Sequence, residues 1–176
     1  MLDLKSIIRT VPDFPKSGIM YRDITTLLSH PEGLKQAVSQ MAAPYSESDM
    51  TAVAGIDARG FIFGAAIAIE LGIGFVPVRK EGKLPFETYE QDYDLEYGTD
   101  TLQIHADAVG PQDKVLLVDD LIATGGTAEA AIKLLRRAGC EVTAAAFLID
   151  LPDLGGAERL EALDIPVTAL IAFEGH

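Results

Sequence analysis

Two consecutive acids and a turn rich in threonine and glycine form the segment with the most evident chemistry. Asp119 and Asp120 follow the apolar run 115–118, and the turn that leads into a helix-like run is Ala123, Thr124, Gly125, Gly126 and Thr127. Glycines let the backbone approach a ligand closely, and the free N–H groups of a first helical turn attract anions. Two carboxylates at the end of a strand suit the vicinal hydroxyls of a ribose. The segment therefore predicts a site for a sugar phosphate.

Other interpretations of this turn have less support. It lacks the lysine of a Walker A loop and the glycine spacing of a dinucleotide-binding fingerprint. A plain strand-to-helix turn remains the structural alternative, but it would not require two acids beside a turn of this composition. The interpretation as a phosphate site is therefore the stronger one.

The charge of the chain limits the partners that it can bind. With 27 acidic and 14 basic residues the net charge is −13, which argues against a broad electrostatic contact with nucleic acid. A small polyanion can still bind where cations are clustered. Four cations follow two of the apolar runs, so we expect them at the same edge of the sheet: Arg59, Arg79, Lys80 and Lys83. Each of them, taken alone, could equally be a solvated surface charge.

The elements that must position these residues alternate between strand and helix. Short, continuous apolar runs are typical of central strands buried on both faces, and they are predicted at 51–56, 73–78, 115–118, 141–149 and 167–172. Helices are predicted over 2–10, 31–43, 60–71, 128–138 and 156–163. The pattern indicates an α/β protein with a central parallel sheet flanked by helices. We expect residues 1–176 to form one domain.

The remaining composition favours a cytoplasmic protein that does not enter a membrane. The longest apolar stretch, residues 60–71, is shorter than the roughly 20 residues that a membrane span needs, and no signal-peptide pattern is evident. Cys140 is the single cysteine, so an internal disulfide is excluded, and we expect it to have a structural role.

Several blocks of the sequence, in order along nearly the whole chain, resemble one enzyme family. The run 115–128 is similar to the motif of type I phosphoribosyltransferases that binds 5-phosphoribosyl-1-pyrophosphate (PRPP). Together with blocks 14–25, 55–61, 79–85 and 95–98, it resembles the adenine phosphoribosyltransferase family. The resemblance implies a type I phosphoribosyltransferase fold with a flexible lid loop or hairpin, a homodimer, and a role in purine salvage. The reaction that it implies joins adenine to the ribose of PRPP and gives AMP and pyrophosphate.

The resemblance also assigns roles around PRPP. Asp119 and Asp120 would hold the ribose, the backbone of residues 123–127 would hold the 5-phosphate, and the four cations would hold the pyrophosphate. Lys83 would reach in from a partner subunit. Mg²⁺ would be bound mainly through PRPP and water, so no residue of the chain is predicted as a metal ligand.

The adenine site and the predicted catalytic residues follow from the same resemblance. Met20, Tyr21 and Arg22 would surround the purine, with Leu151 on its other face. Backbone carbonyls there would accept from the amino group of adenine but would face the 6-oxo group of guanine or hypoxanthine unpaired, which is costly. Glu96 would manage the proton of the attacking nitrogen, and Arg59 is the second predicted catalytic residue.

The segment 81–97 is longer than an ordinary connection, and we expect it to be a mobile lid that excludes water from the reacting ribose carbon. Two alternatives remain open for the whole chain. One is a phosphoribosyltransferase for another base, such as xanthine. The other is a regulator that senses PRPP without catalysis. Retention of the basic block 79–83 and of Glu96 favours the enzyme over the regulator.

Overall fold

The computed structural model describes residues 1–95 and 97–175. Within these residues the strands are β1 (Arg9–Pro12), β2 (Met20–Asp23), β3 (Ala52–Ile56), β4 (Gly74–Lys80), β5 (Thr88–Asp94), β6 (Thr99–His105), β7 (Lys114–Ile122), β8 (Glu141–Asp150) and β9 (Val167–Ala172). The helices are α1 (Leu4–Ile7), α2 (Thr25–Leu28), α3 (Pro31–Ala42), α4 (Arg59–Leu71), α5 (Gly126–Arg137) and α6 (Gly156–Glu161). Strands and helices alternate through most of the chain, as the sequence predicts.

Seven strands form the main sheet in the order β5-β6-β4-β3-β7-β8-β9. The five from β4 to β9 in this order are parallel, while β5 and β6 are antiparallel to their neighbours. The carboxyl ends of the parallel strands therefore meet at one edge, where ligands bind in open α/β sheets.

Both faces of the sheet are covered, which explains the continuous apolar runs of its central strands. Leu117 of β7 faces the core shared with α5, and its neighbours Leu116 and Val118 face the core shared with α3 and α4. Residues next to each other on a strand point to opposite faces, so a strand buried on both sides needs apolar residues throughout. This central layer fixes where the strand ends present their polar residues.

The segment 81–97 is not an irregular loop throughout, and it contributes a strand to a hairpin, in agreement with the lid loop or hairpin that the resemblance implies; its mobility stays a prediction. Its second half is β5, which pairs with β6 over seven residue pairs from Thr88 to Asp94. Buried Tyr93, Leu102 and Ile104 anchor this hairpin to the core. The many acids of β5 hid the strand pattern, because an edge strand needs only a few apolar positions.

The N-terminal region also differs from prediction. The expected helix over 2–10 is only α1, and Thr10 already lies in β1, which pairs antiparallel with β2. Pro12 cannot donate to a ladder, and it is found at the end of β1, where proline is tolerated. The hairpin of β1 and β2, which we call the hood hairpin, carries the predicted adenine-binding residues.

Two further structural findings concern Cys140 and the membrane. Cys140 is buried, and burial raises the pKa of its thiol to about 11, in line with the expected structural role. In residues 1–95 and 97–175, no helix combines the length and the apolar character needed to cross a membrane.

Candidate active site

A pocket of about 210 Å³ lies at the carboxyl end of β7. Its lining unites residues that the sequence analysis selected from two distant blocks, namely Arg59, Asp119, Asp120 and residues 121–128. The two acids lie within β7 rather than after it, because the strand continues to Ile122 and not only to Val118. Their position in the strand makes them fixed groups of the sheet rather than loop residues.

The turn 123–127 is shaped by close contact with the start of α6. Gly125 has φ +80°, and a Cβ there would lie 2.9 Å from the carbonyl oxygen of Gly156. A Cβ at Gly156 would in turn lie 2.4 Å from the oxygen of Ala123. Within the described chain no side chain caps the start of the 12-residue α5, so its first N–H groups are available to an anion.

Asp119 is held by the backbone on both sides. Its Oδ1 accepts a hydrogen bond of 2.8 Å from the N–H of Asp120, and a Cβ at Gly60 would lie 2.9 Å from the same oxygen. Burial, together with the negative charge of Asp120, raises the pKa of Asp119 well above its usual 3.8. The carboxyl of Asp119 therefore binds a proton more readily than an exposed aspartate does.

Arg59 joins the acids to the hood hairpin. Its Nε donates to Oδ2 of Asp120 at 2.5 Å, and its Nη1 donates to the hydroxyl of Tyr21 at 3.0 Å. Burial lowers the pKa of Arg59, but the charge and hydrogen bond of Asp120 outweigh burial, so the pKa is raised. Arg59 is therefore a fixed positive charge between the two predicted subsites.

A second cation lies beside the turn that precedes α4. Nε of Arg79 donates to Oδ2 of Asp57 at 3.3 Å, and its Nη1 donates to the backbone oxygen of Lys83 at 3.4 Å. Lys83 itself is exposed. In the turn before α4, the peptide bond between Asp57 and Ala58 is cis. The structure thus brings Arg79 to the same turn as Arg59.

Lys80 is directed away from this turn. Its Nζ contacts Oδ2 of Asp100 at 2.6 Å and also the hydroxyl of Tyr93, which ties β4 to the β5–β6 hairpin. The reason is that adjacent residues of a strand point to opposite faces, so Arg79 and Lys80 cannot both face the pocket. Binding of PRPP by Lys80 stays a prediction.

The predicted adenine-binding residues lie on the hood hairpin and behind the phosphate turn. Met20 is 39% exposed, and the ring of Tyr21 meets Phe14 edge-to-face at 5.1 Å. Arg22 turns to the opposite side and stacks on Phe173 at 4.3 Å. The N–H of buried Leu151 donates to the oxygen of Ile122, directly before the turn 123–127. Their contact with a purine stays a prediction, and Glu96 lies outside the described residues.

Comparison with known proteins identifies the family. The family model described as a phosphoribosyl transferase domain matches residues 23–169. Adenine phosphoribosyltransferase of Parvibaculum lavamentivorans is 62% identical over 175 residues, which span 99% of this chain and 100% of that protein. This chain belongs to the adenine phosphoribosyltransferase family.

Solved structures of family members share the fold. The crystal structure of adenine phosphoribosyltransferase from Rhodothermus marinus superposes with a TM-score of 0.91 at 54% identity, covering 97% of this chain and 96% of that one. The enzyme from Saccharomyces cerevisiae, complexed with D-2,5-dideoxy-2,5-imino-altritol 1,6-bisphosphate and adenine, gives 0.89 at 34% identity, with 96% and 97% covered. The predicted family, fold class and enzyme class are confirmed by these matches.

Sequence reasoning missed several residues that shape the family's site in this chain. Asp57 holds Arg79, Asp100 holds Lys80, and Gly156 makes room for the phosphate turn. Arg159 of α6 also reaches this turn. For the contact between the phosphate turn and α6, the paired glycines Gly155 and Gly156 were the signal in the sequence, because glycines outside regular structure indicate a close approach of two backbone segments.

Proposed function

We propose that this chain binds PRPP and adenine at the pocket beside β7 and transfers the 5-phosphoribosyl group to adenine, giving AMP and pyrophosphate. The observation that carries the proposal is the bridge from Asp120 through Arg59 to Tyr21, because it joins a ribose-phosphate subsite to the predicted base subsite. The activity would serve purine salvage, as the family's name and reaction imply.

The 5-phosphate would be held by the turn 123–127. The backbone N–H groups at the start of α5 and the hydroxyls of Thr124 and Thr127 supply donors, and the positive end of the helix dipole adds to the attraction. Asp119 and Asp120 line the same pocket, where they can accept from the ribose hydroxyls. This arrangement would fix the ribose for attack at C1.

The pyrophosphate would be held by Arg59, by Arg79 and by the backbone of the turn 57–59. Lys83 would add a charge, in our proposal from the partner subunit. Lys80 would first have to leave Asp100 and Tyr93 to do the same. Because the leaving group gains negative charge in the transition state, fixed cations there lower the barrier.

Mg²⁺ fits this site as an ion carried by the substrate. Among the described residues no group of three His, Cys, Asp or Glu side chains is arranged to hold a metal. Mg²⁺ commonly keeps several waters and binds through one or two carboxylates and substrate phosphates. Carried by PRPP, Mg²⁺ would neutralise charge on the leaving pyrophosphate, and Asp119 and Asp120 are the carboxylates of the pocket that could interact with its bound waters.

Adenine would be read by the backbone of β2 and clamped by side chains. In the described chain β2 pairs only with β1, so its other edge keeps backbone donors and acceptors for a base. Met20, Tyr21 and Arg22 would surround the ring from this strand, and Leu151 would pack on the opposite face. Glu96 would accept the proton of the attacking nitrogen as general base.

Release of pyrophosphate from PRPP and Mg²⁺ tests this proposal, with adenine, hypoxanthine, guanine and xanthine offered in turn. We expect turnover with adenine alone. Glu96→Gln should lower kcat about 10²–10⁴-fold, the usual contribution of a general base. Glu87→Gln removes an exposed acid of the same segment and is the matched control, with no expected effect. Turnover with another base, or binding of PRPP without turnover, would instead support one of the two alternative functions.

We also propose a homodimer that uses the outer face of α4. Ile62 and Ile69 are seven residues apart, hence on one side of the helix, and are 41% and 82% exposed. Exposed apolar residues aligned in this way favour contact with a partner surface. Ile69→Lys should shift the chain to monomers in light scattering after gel filtration, whereas the neighbouring Glu70→Lys should not. A dimer that is unchanged by Ile69→Lys would exclude this face.

The cytoplasmic location and the organisation of residues 1–176 as one domain stay predictions. Fractionation of cells that produce the chain tests the first. A single unfolding transition, seen equally by far-UV circular dichroism and by tyrosine fluorescence, tests the second.

A further inference from the structure

The four predicted cations are all assigned to the pyrophosphate end of PRPP. The phosphate turn 123–127 contains no basic residue, although a phosphate monoester carries close to two negative charges near neutral pH and the chain has a net charge of −13. Backbone N–H groups at a helix start attract anions, yet the surrounding field of an acidic chain opposes them. A cation from another part of the chain would resolve this imbalance.

Arg159 of α6 lies at this turn. Its Nη1 contacts the backbone oxygen of Thr124 at 3.5 Å and would lie 3.6 Å from a Cβ on Gly126, the first residue of α5. Its side chain is 48% exposed, so it can be reached by a ligand. In the described chain its hydrogen bonds use Nε and Nη1, which leaves the donors of Nη2 for a phosphate oxygen.

Glu129 holds Arg159 in this place. The carboxylate accepts from Nε of Arg159 and also from Lys133 at 2.8 Å. The hydrogen bond from Lys133, followed by that from Arg159, lowers the pKa of Glu129, so the acid stays charged. A guanidinium fixed through Nε keeps its outer edge oriented, which is the geometry that favours binding of phosphate.

We propose that Arg159 is a further binding residue for the 5-phosphate of PRPP and of the product AMP. This inference rests on the proposed function of the turn 123–127. Arg159 would bring a side-chain cation to that end of the ligand, because its guanidinium already contacts the backbone of the turn. Since the 5-phosphate does not change during the reaction, Arg159 stabilises bound substrate and transition state equally.

The two ends of PRPP can be tested as separate ligands, ribose 5-phosphate and pyrophosphate, with the affinity of each measured by calorimetry. This comparison distinguishes a residue that binds the 5-phosphate from one that binds the pyrophosphate. Arg159→Gln should weaken ribose 5-phosphate about five- to tenfold, as expected for one charge-assisted contact that water partly screens. Pyrophosphate should bind with unchanged affinity. KM for PRPP should rise by a similar factor with kcat unchanged. Arg159→Lys keeps the charge but not the guanidinium anchored through Nε, so it should recover only part of the affinity.

Arg136→Gln is the matched control. Arg136 belongs to the last turn of α5, and its Nη2 donates to the backbone oxygen of Leu163 at 2.8 Å. Its substitution therefore removes the same charge and a comparable hydrogen bond at a place that is not part of the phosphate turn. Equal weakening of both ligands, or equal effects of Arg136→Gln and Arg159→Gln, would overturn the inference. If wild-type protein binds neither ligand, the proposed function itself fails, which is a different result. Thermal unfolding of each variant verifies that it is folded.

Discussion

Gly125→Ala tests whether the phosphate turn depends on its contact with α6. Gly125 has φ +80°, a conformation that costs a residue with a side chain roughly 1–2 kcal/mol. A Cβ would also lie 2.9 Å from the oxygen and 3.0 Å from the Cα of Gly156. Both of these are backbone atoms, so no side-chain rotation can relieve the contact. Either the turn or the start of α6 must move.

The expected loss of stability is the sum of these two effects. Overpacking a tight contact costs typically about 1–3 kcal/mol, so we expect the free energy of unfolding to fall by about 2–5 kcal/mol. Displacement of the N–H groups that hold the 5-phosphate should raise KM for PRPP at least about tenfold, because small errors in position are costly in a preorganised site. Urea unfolding and steady-state kinetics measure the two effects separately.

Gly72→Ala is the control that separates backbone strain from the contact. Gly72 ends α4 with φ +69°, but a Cβ there would meet nothing within 4 Å. The free energy of unfolding of Gly72→Ala should fall only by the roughly 1–2 kcal/mol that the left-handed conformation costs, and its KM for PRPP should not change. If Gly125→Ala is no less stable than Gly72→Ala, or if its KM is unchanged, the turn does not depend on its contact with Gly156.

Two further predictions concern the groups around Arg59. Because burial and the charge of Asp120 raise the pKa of Asp119 above 3.8, the folded chain binds this proton more tightly, and the free energy of unfolding falls as pH rises above that value. Asp119→Asn should therefore unfold at a higher temperature than wild type near pH 7, with the difference vanishing below about pH 3.8 in the same buffers. Because the hydrogen bond from Arg59 to Tyr21 joins the two subsites, we expect PRPP and adenine to enhance each other's binding. Tyr21→Phe keeps the ring but removes the hydroxyl that accepts from Arg59, so it should weaken this coupling about two- to tenfold in calorimetry. Unchanged coupling would mean that this hydrogen bond does not connect the subsites.

The central fold could be predicted because burial on both faces leaves a clear pattern. The runs at 51–56 and 167–172 became β3 and β9 with bounds within one residue, since almost every position there must be apolar. The edge hairpin of β5 and β6 could not be found in this way. One face of β5 is open to water, and its acids prevent pairing with other chains, so its composition is that of a loop.

The site was predictable in its backbone but not in its ion pairs. The position of Asp119 at the sheet edge follows from the strand run, and the turn 123–127 follows from its glycines. Which acid holds which cation depends on contacts between residues far apart in sequence. Asp120 and Arg59 are 61 residues apart, and Lys80 and Asp100 are 20 apart. Local composition contains no information about such pairs.

These ion pairs explain how a chain of net charge −13 can contain a site for a polyanion. Cations that gather at one site repel one another, and that repulsion is strongest where water is excluded. Here three cations in or near the site are each held by a carboxylate: Arg59 by Asp120, Arg79 by Asp57, and Arg159 by Glu129. Each acid offsets the repulsion and leaves part of the guanidinium available as a donor. The acids beside the site therefore orient its cations, and the field at the phosphates depends on this local arrangement more than on the net charge of the chain.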